Sequence, residues 1–112
     1  MEPKKIGKQH PEAKIQAAII NFLRQREWFV KPTHGNLYQS GFPDLYCAHH
    51  RYGQRWVEVK NLTNYCFTAA QLREFPRFSA SGAGIWILTE ATEREYQKLF
   101  GPENWFTFIK GL

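Results

Sequence analysis

Two strand-like runs joined by a short segment constrain the fold of this chain more than any other feature. Residues 44–50 and 55–60 are strand-like, and residues 51–54 between them suit a hairpin turn. Because the strands of a hairpin are antiparallel neighbours, Asp44 is predicted to lie across from the end of the second run, near Lys60. The chain is therefore expected to contain a β-sheet that includes this hairpin.

Helical and strand-like patterns alternate along the rest of the chain. The predicted helices cover residues 11–27, 68–78 and 92 to about 101, and the remaining predicted strands cover residues 28–31, 85–88 and 105–109. Pro76 is expected to kink or shorten the second helix. The resulting order, α-β-β-β-α-β-α-β, predicts an α/β fold in which a mixed β-sheet is flanked by helices.

The size and charge of the chain limit its domains and its partners. Its 112 residues are expected to form a flexible basic arm (residues 1–10) and a single domain (residues 11–112). The net charge of +5 favours a polyanionic partner such as a nucleic acid. No apolar run could span a membrane and no signal peptide is recognised, so an intracellular, cytoplasmic protein is expected. Cys47 and Cys66 are accordingly expected to be free thiols.

The first predicted helix carries an acid in line with its apolar stripe. Glu12 lies within about 60° of Ile15, Ile19 and Leu23 around the helix axis. An acid in the first turn of a helix also complements the helix dipole while it stays in water. The sequence leaves open whether Glu12 faces a site or the solvent.

Acidic and basic side chains meet at one end of the predicted hairpin. Asp44 follows residues 41–43 (Gly-Phe-Pro) and begins a strand, where Asp is uncommon, although a simple Pro-Asp turn also accounts for it. Glu58 and Lys60 share one face of their strand, and a solvated pair is the ordinary interpretation. If the hairpin forms, Asp44 and Glu58 converge within reach of one cation, with Lys60 beside them. Hard cations such as Mg²⁺ commonly bind through one or two carboxylates.

Thr68 and Gln71 have the spacing of a capping box at the start of the second helix. That role accounts for both residues without any catalysis. The helix nevertheless begins soon after the strand that ends at Lys60, so Gln71 could also point toward the carboxylates.

A zinc site is only weakly indicated. The available ligands are Cys47, His49, His50 and Cys66, but no C-x-x-C or H-x-x-x-H spacing groups them. The chain also lacks a G-x-S-x-G motif, a phosphate-cradling glycine loop and an H-E-x-x-H motif.

Taken together, the acidic and polar motifs resemble those of one nuclease family, the VRR-NUC family of the PD-(D/E)XK superfamily. The matching features, over residues 12–89, are Glu12, the segment Gly41-Phe42-Pro43-Asp44, the segment Glu58-Val59-Lys60, and Thr68 with Gln71. The resemblance implies a restriction-endonuclease-like core in which Asp44, Glu58 and the Val59 carbonyl bind Mg²⁺, with Mn²⁺ as a substitute. It also implies that Lys60 is the catalytic lysine, and that Glu12 and Gln71 are the family's helix-one acid and helix-two glutamine.

The function expected from these motifs is that of a metal-dependent DNA endonuclease. Basic side chains outside the site are candidates for phosphate contacts; they are Lys14, Lys31, Arg51 and Arg55, with Lys4, Lys5 and Lys8 of the arm. Two alternatives stay open: a basic nucleic-acid-binding module without catalysis, and a nuclease subunit that is active only within a larger assembly. The sequence also leaves open whether Lys60 is a general base or a charge stabiliser.

The small size of the chain also bears on its assembly. One chain has room for one active site, whereas opening a four-way junction needs two symmetry-related cuts, which predicts a homodimer acting on branched DNA, particularly four-way junctions. The aromatic residues available for its interface are Trp86, Tyr96, Trp105, Phe106 and Phe108. The alternative is that these aromatic side chains fill the core of the monomer.

Overall fold

A four-stranded mixed sheet lies at the centre of the computed structural model, which describes residues 11–33 and 40–109. Its elements in chain order are α1 (Pro11–Arg24), β1 (Phe29–Pro32), β2 (Leu45–His49), β3 (Gly53–Val59), α2 (Ala69–Ala80), β4 (Ile85–Leu88), α3 (Glu93–Gln97) and two 3₁₀ helices (Lys98–Phe100 and Trp105–Phe108). The α/β fold class predicted from the sequence is confirmed. The predicted arm at residues 1–10 lies outside the described residues.

The sheet has the strand order β1-β2-β3-β4. The first three strands are antiparallel, and the predicted hairpin is β2–β3, with Leu45 paired to Val57 and His49 to Gly53. β4 runs parallel to β3 after a crossover through α2, which is why the sheet is mixed. Continuing the hairpin register by one pair sets Asp44 opposite Glu58.

Alternation along the strands produces an apolar core on each face of the sheet. One face packs against α1 through Ile19 and Leu23, with Val57 and Val59 of β3 beneath them. The other face is covered by α2 and the last 3₁₀ helix; its buried residues are Phe75, Ile85, Ile87 and Trp105. Glu58 alternates onto this second face, so its carboxylate lies under α2 rather than in bulk water.

The prediction of a fifth strand over residues 105–109 is wrong, because Trp105–Phe108 is a 3₁₀ helix. The Asn104 side chain occupies the edge of β4: its Oδ1 accepts the Ile87 N–H at 2.6 Å and its Nδ2 donates to the Ile87 carbonyl at 3.3 Å. The Ile85 N–H donates to the Glu103 carboxylate at 3.0 Å. These side chains take the hydrogen bonds that another strand would need.

The aromatic residues proposed for a dimer interface are partly used in the monomer core. Trp105 packs against Phe75 and its Nε1 donates to Ser79 Oγ at 2.8 Å. Tyr96 is buried as well, and its hydroxyl accepts a hydrogen bond from Trp28 Nε1 at 3.1 Å. Of the residues named for the interface, Phe106 is the one with half of its surface exposed.

Pro76 does not shorten the second helix, contrary to expectation. The helix continues to Ala80 with Pro76 exposed on its outer side, while the neighbouring Phe75 is fully buried. Burial of the apolar side therefore holds the helix together where one N–H is missing. Arg73 and Arg77 lie on the exposed surface of this helix and pair with Glu74.

Other boundaries differ from the predictions by a few residues. α1 ends at Arg24 rather than residue 27, and the third helix is interrupted after Gln97, where a 3₁₀ turn follows. Both cysteines are free thiols, as predicted. Within the described part of the chain, no helix has the length and apolar character needed to cross a membrane.

Candidate functional site

The β2–β3 hairpin brings two carboxylates together at one end. The Asp44 backbone N–H donates to Glu58 Oε1 at 3.1 Å, and the Val59 N–H donates to Asp44 Oδ2 at 2.9 Å. This exchange follows from the strand register, because Asp44 directly precedes the pair Leu45–Val57. The convergence predicted from the alternation of the strands is therefore present in the fold.

Lys60 lies beside these carboxylates and has only 4% of its surface exposed. Its Nζ is 3.1 Å from Glu58 Oε2, and it also donates to the Cys66 carbonyl at 2.8 Å. The Phe67 ring covers the ammonium, with 4.6 Å between Nζ and the ring centroid. The lysine is thus held as the cation of a buried ion pair, because each of its neighbours accepts a hydrogen bond or attracts positive charge.

Gln71 performs the cap and reaches the site at the same time. Its backbone N–H donates to Thr68 Oγ1 and its Oε1 accepts the Thr68 N–H, both at 3.0 Å, which completes the predicted capping box. The same Oε1 accepts from Lys60 Nζ at 3.1 Å, while Nε2 donates to Glu58 Oε2 at 2.7 Å. Gln71 can therefore close the capping box and contact the carboxylate site at the same time, two roles that the sequence presented as alternatives.

Glu12 joins the first helix to the same end of the hairpin. Its Oε2 accepts the Asn61 N–H at 3.1 Å, one residue beyond Lys60. Its negative charge also acts on Asp44, where it contributes to a raised pKa. Of the two orientations left open by the sequence, the fold has the one in which Glu12 faces the hairpin.

Burial is the main cause of the unusual electrostatics of the two carboxylates. It raises the pKa of Asp44 above its ordinary value; the Val59 N–H opposes this effect, the Glu12 charge adds to it and the Lys60 charge opposes it. Burial also raises the pKa of Glu58 to about 7, with a further contribution from the charge of Asp44, against the effects of Lys60 and Gln71. Two acids held together out of water favour a proton or a cation between them.

This donor set suits a hard divalent cation. Carboxylate oxygens are the ligands that Mg²⁺ and Mn²⁺ prefer, and such sites commonly use one or two carboxylates. The raised pKa of Asp44 and of Glu58 also favours a bound cation, since its positive charge would offset both the burial and the smaller repulsion that raise these pKa values. The residues present therefore fit such an ion.

The loop before β2 is held against α2 by a glycine. Gly41 has φ +85°, and a Cβ there would lie 2.8 Å from both the Ala70 carbonyl oxygen and Glu74 Cγ. Glycine at this position therefore permits an approach of the two backbones that a side chain would prevent. Thr33 fixes the other side of the loop, because its N–H donates to the Asp44 carbonyl at 2.8 Å and its Oγ1 to the Pro43 carbonyl at 2.7 Å.

The basic residues predicted to contact phosphate are dispersed. Lys14 is exposed on α1 and Lys31 on β1, while Arg51 is exposed at the turn that closes the hairpin at its far end. Arg55 alternates onto the face opposite Glu58, where its Nε donates to the Leu99 carbonyl at 2.8 Å. Arg55 is therefore engaged in holding the 3₁₀ segment rather than grouped with the carboxylates.

The zinc set considered from the sequence does not form. Cys47 is fully buried in the core, and burial raises the pKa of its thiol to about 12, which disfavours the thiolate that zinc requires. Cys66 is exposed in the loop before α2. His49 and His50 instead lie near Glu27, a residue that the sequence did not single out.

Two groups at the carboxylate site were missed in the sequence. The Cys66 carbonyl and the Phe67 ring both contact the Lys60 ammonium. A backbone carbonyl leaves no residue-type signal, and one Phe among nine gives none either. Only the path of the chain between β3 and α2 could have located them.

Comparisons with known proteins identify the fold. No protein-family model matches the chain, and no curated protein matches it. A solved structure of a VRR_NUC domain is similar to it, with a TM-score of 0.64 over 80% of this chain and 94% of that one, at 24% sequence identity. The chain has the fold of a VRR-NUC domain. The resemblance stated from the motifs therefore extends to the architecture of the molecule.

Proposed function

We propose that this protein is a metal-dependent endonuclease that hydrolyses phosphodiester bonds in DNA. The single observation that carries the proposal is the convergence of Asp44, Glu58 and Lys60 at the end of the hairpin, within the fold of a VRR-NUC domain. A protein that only binds DNA has no use for two acids facing a polyanion.

In this proposal Asp44, Glu58 and the Val59 carbonyl hold Mg²⁺, with Mn²⁺ as a substitute. When bound, the ion would activate a water molecule and neutralise charge on the phosphoryl oxygens. Hydrogen bonds from the backbone of the opposite chain segment hold Asp44 and Glu58 at the same end of the hairpin.

Lys60 supplies positive charge beside the scissile phosphate in this proposal. Its ion pair with Glu58 and its hydrogen bonds to Gln71 and the Cys66 carbonyl hold the ammonium beside the carboxylates. In this position it stabilises charge and orients water. Glu12 and Gln71 act as positioning residues, since they contact the strand end and Glu58, respectively.

We further propose that the substrate is branched DNA, particularly four-way junctions, cut by a homodimer. The support is that residues 11–33 and 40–109 hold one such carboxylate site, whereas symmetric cuts need two sites related by a two-fold axis. The net charge of +5 favours DNA as the partner.

The proposed activity is tested by incubating the purified protein with supercoiled plasmid and Mg²⁺. We expect nicks that stop on addition of a chelator and that are absent with Asp44→Asn. DNA binding without any cut in Mg²⁺ or Mn²⁺ would favour the binding module or the subunit of a larger assembly.

The substrate is tested with duplex, flap, splayed-arm and four-way junction DNA of the same sequence. We expect the junction to be cut fastest, and light scattering at micromolar concentration to give a dimer mass. Equal cleavage of linear duplex by a monomer contradicts the proposed substrate and assembly, while leaving the proposed chemistry intact.

A further inference from the structure

A second group of ligating side chains lies at the other end of the β2–β3 hairpin. Glu27 is in the turn after α1, His49 is the last residue of β2 and His50 begins the hairpin turn. One ligand atom from each lies within 4.8 Å of the others. Within the described residues, these three share no member with the carboxylate site.

His49 is arranged as a ligating histidine commonly is. Its Nε2 lies 3.1 Å from the Arg26 carbonyl, and its Nδ1 lies 3.1 Å from the backbone N–H of Arg51. Because that N–H is a donor, Nδ1 is the unprotonated nitrogen and Nε2–H donates to the carbonyl. A backbone carbonyl that fixes the tautomer in this way is the usual outer partner of a metal-bound imidazole. Nδ1 is then the nitrogen that can bind a metal ion. The ion would take the place of the Arg51 N–H, which donates to Nδ1 at the exposed turn.

Glu27 stands where the local backbone favours glycine. It has φ 71°, and the following Trp28 N–H donates to the Leu23 carbonyl at 3.1 Å. Glu27 therefore lies, in the turn after α1, in the left-handed position that glycine usually occupies beyond a helix end. A glutamate there is strained, and the helix end alone gives no reason for it. A role for its carboxylate as a metal ligand would account for a glutamate at this position.

The surroundings leave room for an ion. The three residues line an open cavity of about 310 Å³, whose other charged groups are Arg26 and Arg51. The Arg26 guanidinium lies 3.5 Å from the Phe22 ring centroid and 3.5 Å from Glu93 Oε1, so its charge is partly compensated elsewhere. Arg51 is exposed at the turn and its charge is screened by water.

We propose that Glu27, His49 and His50 bind a divalent transition-metal ion of the Zn²⁺ class, with water completing a four-coordinate site. Bonds of about 2.0–2.2 Å require the ligand atoms to approach to roughly 3.3 Å. Glu27 and His50 are exposed, so their side chains can rotate to supply this movement. The His50 ring has to turn out of its stack on His49, where the two ring centroids are 4.6 Å apart. Imidazole nitrogen selects Zn²⁺, Ni²⁺ or Co²⁺ over Mg²⁺, which separates this site chemically from the carboxylate site. The bound ion would tie the turn after α1 to the hairpin turn.

The test is titration of the metal-free full chain with Co²⁺ and Zn²⁺, followed by visible absorption of Co²⁺ and by the melting temperature. Asp44→Asn removes a carboxylate of the other site, Glu90→Gln is a control for loss of an exposed acid, and His50→Ala removes a proposed ligand. We expect the visible Co²⁺ absorption of a four-coordinate site and a rise in melting temperature with Zn²⁺ in the wild type, in Asp44→Asn and in Glu90→Gln, and neither in His50→Ala.

Glu27→Gly separates a ligand role from a structural one. Glycine relieves the strain at φ 71°, so the metal-free variant is expected to melt higher than the wild type, while the Zn²⁺-induced rise is lost. A Zn²⁺-induced rise that persists in both His50→Ala and Glu27→Gly, or a Co²⁺ signal that disappears in Asp44→Asn, overturns the proposal. Absence of any Zn²⁺ effect on the wild type at millimolar concentration does so too.

Discussion

The two ends of the β2–β3 hairpin carry ionisable side chains in opposite surroundings. At the Asp44 end, α1 and α2 cover the strands, and Glu58 and Lys60 are almost completely buried. At the His49 end, Glu27 and His50 are exposed at turns. Burial makes charges interact strongly, and a carboxylate pair out of water needs a compensating cation more than an exposed cluster does. The chemistry available at each end of the hairpin therefore depends on the helices packed over that end as well as on the hairpin itself.

The largest expected difference between the two ends is in catalysis. Asp44→Asn is expected to abolish plasmid cleavage while the fold is kept, because the amide oxygen can still accept the Val59 N–H. His50→Ala, at the far end, is expected to leave the cleavage rate within about twofold of wild type, as for an independent site. Cleavage rates in Mg²⁺ and circular dichroism check both variants. Cleavage by the Asp44→Asn protein would contradict the assignment of Asp44 to the active site.

The Lys60 ammonium, at the Asp44 end of the hairpin, is expected to have the next largest effect on the cleavage rate. Lys60→Met keeps much of the side-chain volume and removes the positive charge beside Glu58. We expect the cleavage rate to fall by about 10² to 10⁴ with saturating Mg²⁺, the range for a group that stabilises developing charge. Single-turnover kinetics measure it. A rate close to wild type would assign Lys60 to structure alone.

The buried carboxylates at the Asp44 end of the hairpin also make the stability of the metal-free protein depend on pH. Burial raises the pKa of Glu58 from 4.5 to about 7 in the folded protein, so the folded state holds this proton more tightly than the unfolded state does. Its contribution to stability is therefore greatest below pH 4.5, falls as the pH rises toward 7 and stays low above it. The loss is on the order of 3 kcal/mol.

Glu58→Gln isolates this effect, because the amide does not titrate. We expect the wild type to lose stability relative to Glu58→Gln between pH 5 and pH 8, as measured by urea denaturation with a chelator present. Saturating Mg²⁺ at pH 8 should recover stability in the wild type and not in the variant. A difference in stability that does not change with pH would contradict the raised pKa.

The smallest expected effect concerns Gln71, where a cap and a site contact coincide. Glu serves equally well in a capping box, but Gln71→Glu replaces the donor to Glu58 Oε2 with a third carboxylate. We expect cleavage to fall by about 10- to 100-fold at pH 8, with a smaller loss near pH 6, where a shared proton relieves the repulsion. Thr68→Ser, which keeps the cap, is the matched control. Full activity of Gln71→Glu would return the residue to a purely structural role.

The sequence predicted that the hairpin would bring Asp44 close to the end of the second strand, and the fold has this arrangement. The register was not predicted: β3 begins at Gly53, inside the predicted turn at residues 51–54. The observed pairing of Leu45 with Val57 is what sets Asp44 opposite Glu58 on one face. Gln71 was harder, since its capping-box spacing explained it without reference to the site, and one amide serves both Thr68 and Glu58.

The errors arose where tertiary contacts decide local structure. The aromatic run at 105–109 has strand propensity, but Asn104 and Glu103 occupy the edge of β4 with side-chain hydrogen bonds. The group of Glu27, His49 and His50 was missed for a different reason. Glu27 is more than twenty residues away from the adjacent pair His49 and His50, and the three meet only through the packing of two turns. No motif spacing therefore indicates the group.

The crossover between β3 and β4 has a kinetic consequence. A hairpin closes a short loop and forms within microseconds, whereas the parallel pairing of β4 with β3 must wait for the whole segment through α2 to be ordered. We therefore expect Asp44 and Glu58 to meet early in folding, and the contacts that Gln71 makes with Lys60 and Glu58 to form late. Substitutions at Gln71 should accordingly act on the rate of unfolding and leave the rate of folding almost unchanged. On this expectation, the two carboxylates come together before Gln71 and α2 cover them.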